Sequence, residues 1–190
     1  MYQAEPDPYC YPNSSVLKNK ALLRSQAELD EFETAMTFAR AEEPLPPGRF
    51  SASHYKAIHH HIFQDVYAWA GKYRTVRLTK GASTFCYPEH ISREMNRIFS
   101  WLKNEGHIKR SPADEFFARV AHFLAELNAI HPFREGNGRT QLTFFVLLSD
   151  NAGHAINLER LDPNAVLEPM IASFNGNERP LAELLAKLVS

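Results

Sequence analysis

Between two strongly apolar stretches, Phe116 to Ile130 and Leu142 to Leu148, lie the nine residues His131-Pro-Phe-Arg-Glu-Gly-Asn-Gly-Arg139. In the first stretch Phe116, Phe117, Val120, Phe123, Leu124 and Leu127 recur at helical spacing. Ser111-Pro-Ala-Asp opens that helix and His131-Pro132 ends it. The second helix is predicted from about Asn137 to Asn151, with Gly153 as its stop. Its segment 142–148 is apolar on nearly every side, which predicts the central helix of a bundle. Helices this apolar need other elements to cover them.

The flanking sequence supplies that cover. Ser25-Gln-Ala-Glu28 has the form of a capping box and opens a helix running to about Ala41, with Leu29, Phe32, Met36 and Phe38 at roughly helical spacing. Glu43-Pro-Leu-Pro-Pro-Gly48 breaks it. A helix from about Ser51 to Val66 follows, with Tyr55, Ile58, Ile62, Phe63 and Val66 as its buried face. Residues 73–79 and 83–87 are β-type runs separated by Lys80-Gly81-Ala82, which predicts a short hairpin leaning on the helices. Helices resume from Pro88 to about Asn104, and two short ones are expected near 163–174 and 178–189. Residues 1–20, rich in Pro, Tyr and Asn, read as an extended arm, and residues 21–190 as one mainly α domain.

Composition narrows the function classes. The 190 residues carry a net charge of −1, so no general attraction to nucleic acid or to an anionic membrane is expected. The N-terminus has neither the basic nor the apolar region of a signal peptide, and no apolar run is long enough to span a bilayer. Cys10 and Cys86 are far apart and lack metal-ligand spacing. A reduced, cytoplasmic location fits best.

The joint at 131–139 is far from bland. Gly136 and Gly138 could simply supply positive φ, but that leaves His131, Arg134, Glu135 and Arg139 unexplained. Gly136-Asn137-Gly138 opens a helix, where free N–H groups and the positive dipole end attract anions. Arg139 in the first turn opposes the dipole as a structural cation but is well placed to grip phosphate. Glu135 offers a hard oxygen ligand for Mg²⁺ bridging two phosphates. His131, neutral near pH 7, could accept a proton from a hydroxyl attacking phosphorus.

The segment His131-Pro-Phe-Arg-Glu-Gly-Asn-Gly-Arg139 closely resembles the signature His-x-Phe-x-Asp/Glu-Gly-Asn-Gly-Arg-x-x-Arg of Fic-domain proteins. Tyr9-Cys-Tyr-Pro12, Leu17-Lys-Asn-Lys20 and Val66-Tyr-Ala-Trp-Ala-Gly71 also look like segments of bacterial members. The resemblance covers about residues 9 to 175 and implies a Fic-fold helical bundle with a β-hairpin flap at 73–87. It implies a protein adenylyltransferase that moves AMP from ATP to a Ser, Thr or Tyr hydroxyl and releases pyrophosphate. In that reading His131 is the general base and Glu135 the Mg²⁺ ligand. Gly136, Asn137 and Gly138 form the anion hole, and Arg139 holds the distal phosphates. Lys80 and Gly81 at the hairpin tip lie near the nucleotide, and Thr84 and Phe85 clamp the target segment. Small Gly138 favours AMP transfer, because the kinase-like branch of the family carries Lys there.

One position departs from the pattern. The second arginine of the signature falls on Leu142, which removes a γ-phosphate contact. Arg134 or Lys80 are the candidates to replace it. Two alternatives follow: a weakly active or inactive nucleotide-binding regulatory module, and a transferase using another nucleotide donor. The family's inhibitory Ser/Thr-x-x-x-Glu-Gly/Asn segment is absent from the chain, which implies a separate small antitoxin as partner.

Other motifs yield less. His59-His60-His61 point in different directions on a helix and read as a polar helix surface, not a metal site. Arg74, Arg77 and Lys80 read as a basic hairpin edge. There is no Walker loop, dinucleotide fingerprint or His-Glu-x-x-His segment.

Overall fold

The helical spacing of the sequence becomes seven α-helices in a computed structural model that describes residues 7–80, 83–109, 111–162 and 165–189. In chain order they are α1 (Gln26–Ala41), α2 (Ala52–Phe63), α3 (Pro88–Asn104), α4 (Ala113–Ile130), α5 (Asn137–Ala152), α6 (Leu167–Phe174) and α7 (Arg179–Ala186). Short 3₁₀ turns occupy Gly106–Ile108 and Leu158–Arg160. Between α2 and α3 lies an antiparallel hairpin of β1 (Thr79–Lys80) and β2 (Ser83–Thr84), with Thr79 opposite Thr84. Among the described residues no helix is long and apolar enough to cross a membrane.

The central helix is α4, not α5. Helix α4 packs against α3, α5, α6 and α7 and buries Phe116, Phe117, Val120, Phe123, Leu124 and Leu127. In α5 the apolar run is split: Phe144, Phe145 and Leu148 are buried, while Leu142, Val146 and Leu147 are only partly covered. An apolar run alone cannot say which of its sides another helix will cover.

Three local expectations also change. Ser25 makes no side-chain cap at α1, and Phe38 is 69% exposed, so α1 buries only a narrow stripe around Leu29. The β-type runs at 73–87 pair over just two residues per strand, because the base of the hairpin bonds to α4 instead. Residues 7–20 do not stand away as an arm: Cys10 bridges to Leu17, and Tyr11 and Val16 join them in the core.

Candidate functional site at the junction of α4 and α5

The loop between α4 and α5 is built to hold one shape. Helix α4 ends at His131, which lies in the left-handed region (φ 48, ψ 63), uncommon for a residue with a Cβ. Asn137 then closes the turn with both ends of its amide. The Phe133 N–H donates to Asn137 Oδ1 at 3.0 Å, and Asn137 Nδ2 donates to the Phe133 carbonyl at 2.9 Å. The Asn137 side chain is thereby committed to the loop, and only its backbone N–H remains to face an anion. Gly136, at φ 80, is required by the chain: a Cβ there would lie 2.3 Å from the Phe63 ring.

His59 supports the loop from below. The Gly71 N–H donates to its Nδ1 at 2.8 Å, so that nitrogen carries no proton. Its Nε2 is 3.0 Å from the Glu135 carbonyl and must be the donor there. The ring stacks on Phe133 with centroids 3.7 Å apart. His59 is thus wholly buried, which corrects the surface reading of the histidine run; His60 is exposed. Burial holds its pKa down at about 4, so the fold keeps it neutral.

At the N-terminus of α5 no side chain caps the helix. The first-turn N–H groups at Asn137, Gly138 and Arg139 have no intrahelical acceptor. A Cβ at Gly138 would meet nothing within 4 Å, in contrast to Gly136. Nothing inside the chain demands glycine at 138, where helix propensity disfavours it by up to about 1 kcal/mol against alanine. The open space lies where an anion on the helix end would sit.

The charged residues of the loop divide by their partners. The Arg139 guanidinium pairs with Glu33 of α1 and lies 4.6 Å from the Phe63 ring centroid. Glu33 also accepts from the Tyr67 hydroxyl. Arg134 is turned the other way, donating to Asp7 Oδ2 at 2.8 Å with Cys10 Sγ beside it. Glu135 is exposed, and its Oε1 accepts from the Gly136 N–H at 2.8 Å. Among the described residues no three His, Cys, Asp or Glu side chains cluster as a metal cage. A single exposed carboxylate fits Mg²⁺ held mainly by phosphate oxygens and water. Leu142 lines an apolar groove of about 520 Å³ with Thr34, Phe38, Ile62 and Val146, and Arg139 also lines it.

His131 lies under the hairpin. Phe85 stacks on its imidazole at 4.0 Å between centroids, with Phe174 edge-on to Phe85 at 5.9 Å. His131 Nδ1 is buried without a hydrogen bond. Burial first, then the positive charge of Arg74 and least that of Lys80, hold the His131 pKa down at about 4, against an opposing pull from the Asn128 backbone. The imidazole is therefore neutral near pH 7. Lys80 and Thr84 are exposed on the hairpin, while Gly81 lies outside the described residues.

Several residues that shape the site escaped the sequence reading. Glu33, His59, Phe63, Tyr67 and Arg74 act on it from elements distant in sequence. His59 left a trace: at helical spacing it falls beside Tyr55, Ile58 and Ile62, so it sits at the edge of the buried face. Arg74 left none, since a cation in a β-type run reads as an exposed edge, yet it is 2% exposed.

Known proteins resemble this chain in sequence and in fold. A "Probable protein adenylyltransferase y4lH" of Sinorhizobium fredii is 50% identical over 189 residues, covering 99% of this chain and 98% of its own length. "Protein adenylyltransferase VbhT" of Bartonella schoenbuchensis is 35% identical over 98% of this chain, which spans 40% of VbhT. The N-terminal Fic domain of a cell filamentation protein from Bartonella quintana, solved with ADP bound, superposes with a TM-score of 0.86. It is 28% identical, over 96% of this chain and 94% of its own. BepC of Bartonella tribocorum, solved with AMPPNP, gives 0.85 at 25% identity over 96% of both chains. The model of the Fic/DOC family matches residues 49–149, which contain the entire α4–α5 junction. By its loop, its fold and this match, the chain belongs to the Fic/DOC family.

Proposed function

We propose that this protein is a protein adenylyltransferase, transferring AMP from ATP to a hydroxyl of a protein target. One juxtaposition carries the reading: a neutral imidazole, His131, opens the short loop that ends at the uncapped N-terminus of α5, with open space over Gly138. The relatives named protein adenylyltransferases and the nucleotide-bound Fic structures support it.

The chemistry follows from those groups. The target hydroxyl oxygen attacks the α-phosphorus, and its proton passes to His131 Nε2. A bond forms between that oxygen and phosphorus; the bond from phosphorus to the bridging oxygen breaks, and pyrophosphate leaves. The N–H groups at Asn137, Gly138 and Arg139 stabilise the charge that builds on the phosphoryl oxygens. A pKa of about 4 is low for a base at pH 7, but nucleotide phosphates raise it by favouring the imidazolium. Glu135 would hold Mg²⁺, which supplies charge neutralisation on the phosphates. Arg139 serves the distal phosphates by sharing or exchanging its contact with Glu33. Arg134, engaged with Asp7, contributes to loop shape before it contributes to phosphate.

The exposed hairpin edge at Thr79–Lys80 and Thr84 fits strand addition by an extended target segment, the common way to bind unstructured peptide. We place the reaction in the cytoplasm, where ATP is supplied. A separate small antitoxin is the proposed inhibitor. The apolar groove lined by Phe38, Leu142 and Val146 gives an inhibitory helix a surface next to Arg139.

Leu142 favours a second reading. Where the family signature carries an arginine, this chain presents an apolar side chain to the groove. A nucleotide-binding regulatory module with weak transfer, or a transferase using another nucleotide donor, would both tolerate that loss. Labelled ATP with Mg²⁺ and cell lysate decides among these. Label on a protein, reduced roughly 10²-fold by His131→Ala, supports adenylyl transfer. Binding of ATP by calorimetry with no label transferred supports the module, and label only from another nucleotide supports the third.

A further inference from the structure

Arg74 is an anomaly by itself. It is 2% exposed, yet among the described residues no carboxylate pairs with it. Among the described residues its guanidinium donates only to backbone carbonyls: Nε to His131 at 2.7 Å, Nη1 to Val76 at 2.5 Å, and Nη2 to Cys86 at 2.6 Å and Ile130 at 3.1 Å. A buried cation without a counter-ion is costly, and these four carbonyls compensate it, those of Ile130 and His131 at the negative end of the α4 dipole. The four carbonyls belong to two different parts of the site. Ile130 and His131 close α4, whereas Val76 and Cys86 flank the hairpin. Two backbone bonds run alongside: the Arg74 N–H donates to the Pro132 carbonyl at 2.9 Å, and the Cys86 N–H to the Ala129 carbonyl at 3.0 Å.

We propose that Arg74 is the positioning residue of this site, clamping His131 in its left-handed conformation and joining the hairpin base to it, so that the imidazole and the hairpin move as one body. The argument runs through geometry. A left-handed residue with a Cβ persists only when its surroundings hold it there. The Arg74 Nε–H bond to the His131 carbonyl does this directly. The same planar fork reaches the residue next to Phe85, whose ring covers the imidazole. Lysine cannot substitute, since its three donors radiate from one point and cannot span carbonyls on two segments. The charged and titratable groups facing the pair are Lys80 on His131, and Tyr9, Cys86 and Arg134 on Arg74.

The role as a positioner for adenylyl transfer rests on the function proposed above, so its test has readouts that do not need activity. In the unmutated chain, amide exchange at Cys86 and side-chain exchange at Arg74 Nε should report one common opening. Separate openings would overturn the clamp. In Arg74→Lys, exchange at Cys86 should speed by tenfold or so, and the His131 ring signal should broaden or split, while α2 and α4 keep their protection. Unchanged exchange and an unchanged ring signal would overturn the proposal. If Arg74→Lys does not fold, the wild-type exchange measurement still decides. Where transfer is measurable, kcat should drop roughly 10- to 100-fold with KM for ATP nearly constant. A wild-type protein that transfers no AMP but shows the common opening would sink the functional reading and leave the clamp standing.

Discussion

The Phe85 ring lies flat on the His131 imidazole, with planes 17° apart and centroids separated by 4.0 Å. The hairpin that would align a target thus also keeps water off the residue that would take its proton. Burial is the largest cause of the low His131 pKa, so Phe85→Ala should raise it from about 4 toward the ordinary 6.5. Titration of the ring signals by NMR reads this directly. An unmoved midpoint would mean that the shielding comes from elsewhere.

Acid should unfold this protein earlier than its carboxylates alone would. His59 takes a proton near pH 6.5 when unfolded but only near 4 when folded. Between those values the unfolded chain binds more protons, so stability is full above about pH 6.5 and is lost as pH falls toward 4. The loss from His59 is on the order of 3 kcal/mol, and His131 adds in the same direction. His59→Gln keeps an acceptor for Gly71 and a donor for Glu135 but cannot titrate. Urea unfolding across pH 4 to 7 should show a visibly shallower slope in that variant; an identical slope would remove His59 from the account.

Glu33 and a nucleotide compete for Arg139. Glu33→Gln leaves a partner for Tyr67 but withdraws the negative charge, so ATP should bind several-fold more tightly. Calorimetry in low salt is the measurement, and weaker binding in the variant would show that Glu33 positions Arg139 instead of occupying it.

The two loop glycines should part company on substitution. Gly136→Ala forces a Cβ onto Phe63 at positive φ and should destabilise by roughly 2 kcal/mol or more. Gly138→Ala sits in a helix with open space and should leave stability equal or slightly higher. Its cost should appear in nucleotide affinity. Equal affinity for ATP in Gly138→Ala and wild type would argue that the open space is not where phosphate sits.

Much of this was legible in the sequence, for a definable reason. The loop 131–139 carries its chemistry in consecutive residues, so its composition, glycine placement and position before a helix all show in one window. Helices α2 to α5 were bounded within a few residues because their boundary signals are local: Pro88 opens α3, Pro132 follows the end of α4 and Gly153 caps α5. Contacts between distant segments left no such trace. Glu33 lies 106 residues from Arg139, and Arg74 57 residues from His131. Arg134 looked available for phosphate because Asp7, its partner, is 127 residues away. The β-type runs at 73–87 promised longer strands, but the backbone N–H groups of Arg74 and Cys86 donate to the Pro132 and Ala129 carbonyls rather than across the hairpin.

The two carboxylates that hold loop arginines, Asp7 and Glu33, both precede the span that matches the family model. A chain trimmed to residues 49–149 would keep every residue of the signature and strand two cations of the loop without counter-charge. The working unit therefore starts well upstream of the stretch by which the family is recognised. Swapping the first forty residues between relatives would retune the loop while leaving its signature untouched.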